Sequence, residues 1–211
     1  MNKPKLNLSD LNHLGIDSLT SLAREQMLSL REEFVQRFNR QGLTLGLNDL
    51  ALWVESKSPK VANKTLSYAL ELVKPFVAGL GFEITELNDQ VATLKIHLRP
   101  RNQTSNGSIH TAAVLAAAEE AATLLLERHA PVGGFQFSLE TLQMDIKRKF
   151  QGELDLTLTW DAIEREKSLI DLQKNKITQL RMIAEVRDES KKKAIEVQLH
   201  YELKFKPRLV G

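Results

Sequence analysis

An alanine run with two adjacent acids at its centre constrains this chain more than any other feature. Between Thr111 and Leu126 stand Ala112, Ala113, Ala116, Ala117, Ala118, Ala121 and Ala122, with the charges Glu119 and Glu120 in their midst. Alanine is the best helix former and among the smallest side chains, so the run predicts a long, thin helix that other backbone can approach closely. The loop Asn106-Gly107-Ser108-Ile109-His110 feeds into it. On a wheel of about 3.6 residues per turn, Val114, Ala118, Ala121, Ala122 and Leu125 share one face, expected to be core. Glu120 falls opposite with Ile109, Ala113, Ala116 and Glu127. Glu119 lies between, flanked by Ala112, Leu115, Thr123 and Leu126. A carboxylate at the seam of an apolar face is partly desolvated, which raises its pKa and suits it to general-base chemistry near neutral pH. The competing arrangement leaves both acids solvated or paired with Lys or Arg.

The rest of the composition bounds the possibilities. The chain has 211 residues, 42% hydrophobic and 27% charged, enough for one sizeable core and an appendage. Lys and Arg number 29 against 27 Asp and Glu, a net charge of +2 that argues against nucleic acid as a partner but leaves room for a small anionic ligand. With no cysteine, disulfides, thiolate nucleophiles and cysteine-based zinc sites are excluded, and a reducing cytoplasm is the expected location. No apolar h-region follows Met1-Asn2-Lys3-Pro4-Lys5, and the most apolar stretch is interrupted by Glu119 and Glu120, so neither a signal peptide nor a membrane span is expected. No metal and no cofactor are expected.

Patterning divides the chain. Ser18 can cap a helix in which Leu19, Leu22, Leu30, Phe34 and Phe38 recur at helical spacing up to Gly42, and a shorter helix is expected over Asn48 to Glu55. Ser56-Lys57-Ser58-Pro59 reads as a linker, so residues 1–58 are expected as an N-terminal helical extension and 59–211 as the main domain. Pro59 opens a helix through Leu66, Ala69, Leu70 and Val73 that ends near Pro75, Gly79 and Gly81. From Phe82 the period becomes two. Strands are expected at Phe82 to Leu87 and Val91 to Leu98, around a turn at Asn88-Asp89, and after the alanine helix at Leu139 to Phe150 and Leu154 to Trp160. A charged helical insertion over Asp161 to Asn175 precedes two last strands, Ile177 to Arg187 and Ala194 to Phe205. Successive hairpin-like strands with one long helix imply an α+β fold whose antiparallel sheet curls around that helix. An unpaired edge would remain, and dimerisation is a common remedy.

This order of elements, together with the Gly107 to Glu119 motif, resembles the hotdog-fold acyl-CoA thioesterase superfamily over roughly residues 62–206. Gly107 and His110 stand at the Gly and His that open the central helix of the phenylacetate-pathway type, and Glu119 stands at its acidic position. Similarity is greatest to an uncharacterised bacterial branch in which Gly-x-Ile or Gly-x-x-Phe leads into a helix bearing Ala-Glu. Thr111 and Ala112 replace the glycines that follow the family histidine, and Thr104 stands at the usual place of the loop Asn, with Asn106 next to Gly107. The His-Phe-Pro-Gly signature of hotdog dehydratases is absent, so hydrolysis is expected rather than dehydration.

The resemblance implies hydrolysis of an acyl thioester of coenzyme A or acyl carrier protein by a homodimer or dimer of dimers, with active sites at the subunit interface. Glu119 would be base or nucleophile, and amides near Ile109, His110 and Thr111, at the positive end of the helix dipole, would hold the oxyanion beside Gly107. His110 orients the loop or acts as a base, and Asn106 caps the helix or contacts substrate. For the phosphates of coenzyme A the candidate contacts are Arg99, Arg101, Lys147, Arg148 and Lys149, although a Lys-Arg-Lys run at a strand end also serves as a solvated edge. Two alternatives compete with hydrolysis: a non-catalytic hotdog dimer that binds an acyl thioester or lipid-like ligand, and a protein that docks a partner through its N-terminal helices.

Overall fold

The computed structural model describes residues 76–206, together with residues 63, 66, 67, 70 and 74 of the preceding segment. The helices expected over 19–42 and 48–55, the 1–58 extension and its linker lie outside the described residues. Beyond them the chain follows the predicted order: β1 (Phe82–Leu87), β2 (Val91–Ile96), α1 (Thr111–Gly133), β3 (Phe135–Ile146), β4 (Leu154–Thr159), α2 (Ala162–Asn175), β5 (Ile177–Asp188) and β6 (Lys193–Phe205). All strand pairs are antiparallel, in the order β1-β2-β4-β5-β6-β3. With α1 against its inner face, this is the hotdog-like α+β arrangement expected.

Register explains how the core is built. A single inward row crosses the sheet from edge to edge through Ile84, Leu94, Leu156, Val186, Ile195 and Ile146. Its first five members are at most 1% exposed, whereas Ile146 on the edge strand β3 is 50% exposed. Along this row the inner face is covered as far as β6 and opens at the far end of β3.

β3 departs from expectation at both ends. Gly134 takes a left-handed conformation (φ 61°) that ends α1, its N–H returning to the Ala130 carbonyl, and the strand begins at the next residue rather than at Leu139. It stops at Ile146 rather than running to Phe150. A register shift between Leu139 and Thr141 changes the phase of alternation, so that Phe135, Phe137 and Leu139 share the inner face with Leu142, Met144 and Ile146. That change of phase hides the front half of the strand from any period-two reading.

The turns and the second helix follow local chemistry. Asn88 accepts the amides of Gln90 and Val91 (2.8 and 2.9 Å) on its side chain and closes the β1–β2 hairpin. Asp161 caps α2 by accepting the amides of Ile163 and Glu164, Leu172 is its buried anchor, and Arg165 donates to the Asp89 carbonyl. Trp160 is fully buried and meets His129 edge to face at 5.4 Å, as expected of a core tryptophan.

Candidate active site

The loop that delivers α1 is organised by a residue the sequence reading did not single out. Asn102 is 1% exposed. Its side-chain oxygen accepts the Arg99 amide at 2.8 Å, and its side-chain nitrogen donates to the carbonyls of Leu80 (2.6 Å) and His97 (2.7 Å). Its own carbonyl accepts the His110 amide at 2.6 Å. Gln103 bridges Ile109, Thr104 and Ser108 bond to each other at 2.9 Å, and Gly107 turns the tip at φ 78°, a conformation that favours glycine. Ile109 is buried at the base. The loop is therefore a compact hydrogen-bonded unit.

The start of α1 corrects one assignment. Its N-cap is His110, whose Nδ1 accepts the Ala112 amide at 3.1 Å, and not Asn106. The His110 and Ala112 amides are engaged and that of Ala113 bonds the His110 carbonyl at 2.9 Å, whereas the Thr111 amide makes no hydrogen bond among the described residues. Of the three neighbouring amides expected at the helix start, those of Ile109, His110 and Thr111, the Thr111 amide is thus uncommitted and the His110 amide is not. His110 works as a cap, which suits loop orientation rather than base chemistry.

Burial along α1 corrects a second expectation. Val114, Ala118, Ala121, Ala122 and Leu125 are fully buried, as the wheel required. The supposed opposite face is buried as well: Ala113, Ala116 and Glu120 are all at most 9% exposed, and Leu66, Leu70 and Val77 ahead of β1 are buried too. Lys74, in that preceding segment, pairs with Glu120 at 2.5 Å. Burial pushes the Glu120 carboxyl above its usual range, and Lys74 works against the shift. What remains open is the strip between: Ala112 and Glu119 are exposed, and Leu115 and Thr123 are partly so. In the single chain Glu119 is thus the accessible acid and Glu120 the desolvated one, the reverse of the seam expected from the wheel.

Two further groups adjoin the strip. Thr123 lies one turn beyond Glu119, and the buried Tyr201 hydroxyl on β6 lies beside it, with both glutamates near. Burial keeps the phenol neutral by pushing its pKa up. The Tyr201 ring meets Phe137 of β3 edge to face at 6.0 Å. Thr123 was readable from its i+4 spacing to Glu119. Tyr201 was not, since it is 82 residues away in sequence and reaches the helix only through the sheet.

The basic residues separate into two groups. Arg101 donates to the Ala78 carbonyl at 2.7 Å, Lys147 pairs with Asp145, and Arg148 pairs with Asp188 while also reaching Ser190. These three are structural ties. Arg99 and Lys149 have no ion-pair partner among the described residues. Lys149 lines an open cleft of about 750 Å³ with Asn106 and Ser108 of the loop, Phe150, and Asp188 to Ser190 of the β5–β6 hairpin. The cleft brings together Asn106 and Lys149, two predicted site residues far apart in sequence. Among the described residues no three-residue cluster could hold a metal ion, and no helix is long and apolar enough to cross a membrane.

Fold and loop together place the chain in the hotdog class. It belongs to the family described as domain of unknown function DUF4442, whose pattern matches residues 62–203. No curated protein matches it. Among solved structures, it is similar to a protein of unknown function from Pseudomonas aeruginosa described as a probable thioesterase (17% identity, TM-score 0.60, covering 65% of this chain and 92% of that one). It is also similar to a protein of unknown function from Chlorobaculum tepidum (13%, 0.58, 70% and 97%) and to a candidate thioesterase from Shewanella oneidensis (8%, 0.55, 68% and 96%). At these identities the likeness establishes the fold.

Proposed function

We propose that the protein hydrolyses an acyl thioester carried by coenzyme A or acyl carrier protein, and that it does so as a homodimer. The observation that carries this reading is the open strip of α1. A helix buried on its other sides leaves one carboxylate, Glu119, accessible, with a hydroxyl one turn away and an uncommitted amide, that of Thr111, at its positive end. In the reaction Glu119 takes the proton of a water that attacks the carbonyl carbon, and the Thr111 amide donates to the developing oxyanion. The thiolate leaves and is protonated. Direct attack by Glu119, through an anhydride that water then opens, uses the same groups.

Helix geometry supports the second subunit. Thr111 and Glu119 are eight residues apart, about 12 Å along the axis at about 1.5 Å per residue, too far to act on one carbonyl carbon from the same helix. A second copy paired along β3, where Leu142, Met144 and Ile146 are left partly or largely exposed, would bring one helix's Glu119 toward the other's N-terminus. The cleft at Asn106, Ser108 and Lys149 then takes the carrier arm, with Lys149 facing its phosphate.

The test is thiol release from acyl-CoA and acyl carrier protein substrates of short to long chain, with the Glu119→Gln variant beside the wild type. Activity in the wild type and its loss in the variant support the reading. A wild type inactive on the whole panel, yet co-purifying with an acyl thioester, would instead favour a binding protein. Light scattering gives the second arm: a mass of at least twice the 23.9 kDa of one chain is expected, and a monomer at micromolar concentration would remove the interface argument.

A further inference from the structure

The convex face of the sheet carries a cluster that the thioesterase reading does not use. His97, just beyond β2, lies between two carboxylates, its Nε2 2.7 Å from Glu83 of β1 and its Nδ1 2.7 Å from Glu153 at the entry to β4. Lys95 holds the other oxygen of Glu153 at 2.8 Å. A neutral imidazole has one N–H and one lone pair, so it can satisfy only one of two acceptors placed on opposite ring nitrogens. With both carboxylates ionised, both contacts are hydrogen bonds only when the ring carries two protons. The arrangement spans three neighbouring strands, since Phe82 pairs with Ile96 and Ile96 with Leu154.

The backbone of the same residue roots the loop that presents α1. The His97 amide donates to the Gly81 carbonyl at 2.9 Å, and its carbonyl accepts the Asn102 side chain at 2.7 Å. Asn102 in turn holds the His110 amide, next to Thr111. Packing is tight: Gly81 sits at φ 74°, and a Cβ there would lie 2.9 Å from the His97 carbonyl and 2.7 Å from Arg99.

We propose that His97 is a proton-operated clasp, which as a doubly protonated imidazolium ties β1, β2 and the entry to β4 together at the root of the 97–110 loop, and which loosens that root when it loses a proton. The charged groups that face it are Glu83 from β1 and Glu153 from the approach to β4, with Lys95 of β2 on the far oxygen of Glu153 and Asp155 of β4 acting on Lys95. Glu189 of the β5–β6 hairpin accepts the Glu153 amide at 3.1 Å. Burial pulls the imidazolium's pKa down, but the hydrogen bonds and charges of Glu153 and Glu83 outweigh it and hold the group above the ordinary histidine value. The clasp is therefore complete below about pH 6.5 and is lost as the pH rises through the raised value.

The test needs no substrate, so it stands apart from the hydrolysis reading. In isotope-labelled protein, the ring nitrogens of His97 are followed by NMR between pH 5.5 and 9, together with the amide and side-chain resonances of Asn102. The His97 signals are assigned by their loss in His97→Gln, which also removes the other histidines' contribution by difference. Expected are two ring protons at pH 5.5, a midpoint above about 6.5, and Asn102 resonances that move with that midpoint in the wild type and not in His97→Gln. The melting temperature should fall by about 2 °C over the same interval, a component missing from the variant. Glu83→Gln, at a partly exposed position, keeps the fold and lowers the His97 midpoint. A midpoint at or below about 6.5, or Asn102 resonances that ignore the titration, would overturn the clasp.

Discussion

Glu119 and Glu120 are chemically identical neighbours on one helix, and the fold treats them in opposite ways. A rotation of about 100° along the helix separates them. It carries Glu120 to Lys74 of the preceding segment, where it is 9% exposed and paired, and leaves Glu119 on the exposed strip among the described residues. One acid is part of the structure and the other is available for chemistry. The lesson is that what packs against the helix, rather than the helix's own amphipathicity, decides which carboxylate stays accessible. An alanine helix is buried wherever backbone approaches it, and so exposure is set by its neighbours.

The largest effect that tests this contrast is on activity. Glu119→Gln should lower thioester hydrolysis by about 10²- to 10⁴-fold with a melting temperature close to wild type, because a base of that strength is lost from an accessible position. An active variant would remove Glu119 from the mechanism and dissolve the contrast.

Next comes stability. Glu120→Gln leaves the Lys74 ammonium beside an amide in a largely covered site, and should cost about 1 to 2 kcal/mol in denaturant unfolding. Combining Lys74→Met with Glu120→Leu should recover most of the loss, since an apolar pair needs no desolvation of charge. Recovery failing would mean that packing, not the ion pair, makes this face what it is.

The pH dependence sharpens the same point with a smaller effect. The folded-state pKa of Glu120 is raised, so between its ordinary value near 4.5 and the raised one the folded protein holds more protons than the unfolded chain. Stability should therefore rise as the pH falls through that window, and this component should vanish in Glu120→Gln while persisting in Glu119→Gln. Equal pH profiles in the two variants would break the distinction. The smallest expected effect is that of deleting residues 1–56: if the cover over Glu120 begins beyond the Ser56 to Pro59 segment, cooperative unfolding and hydrolysis should both survive, and loss of cooperativity would move the domain boundary upstream.

Much of the architecture was legible because its signals are local. Hydrophobic alternation placed β1, β2, β4, β5 and β6 to within a few residues, the Asn88-Asp89 turn was visible in its side chains, and Asp161 marked the start of α2. Errors arose where a local signal was overridden. The phase change at Leu139 and Thr141 concealed the first half of β3, and His110 took the capping place because the Asn102 carbonyl holds its amide, leaving Asn106 to face the cleft. Of the five cations expected to face phosphate, Arg101, Lys147 and Arg148 found partners in the fold that linear spacing does not reveal.

By itself the sequence determined the element types and order, the antiparallel character of the sheet, and a loop and helix carrying an acid at a recognisable position, all of which follow from periodicity, propensity and side-chain chemistry within a few turns of chain. Tertiary structure alone decided which of two adjacent glutamates is open, which amide at the helix start is uncommitted, and which charges meet across strands, as Glu83, His97 and Glu153 do. Those outcomes depend on which distant segment comes to lie against each group. Burial and pairing are properties of that encounter, and no window of sequence contains both of its partners.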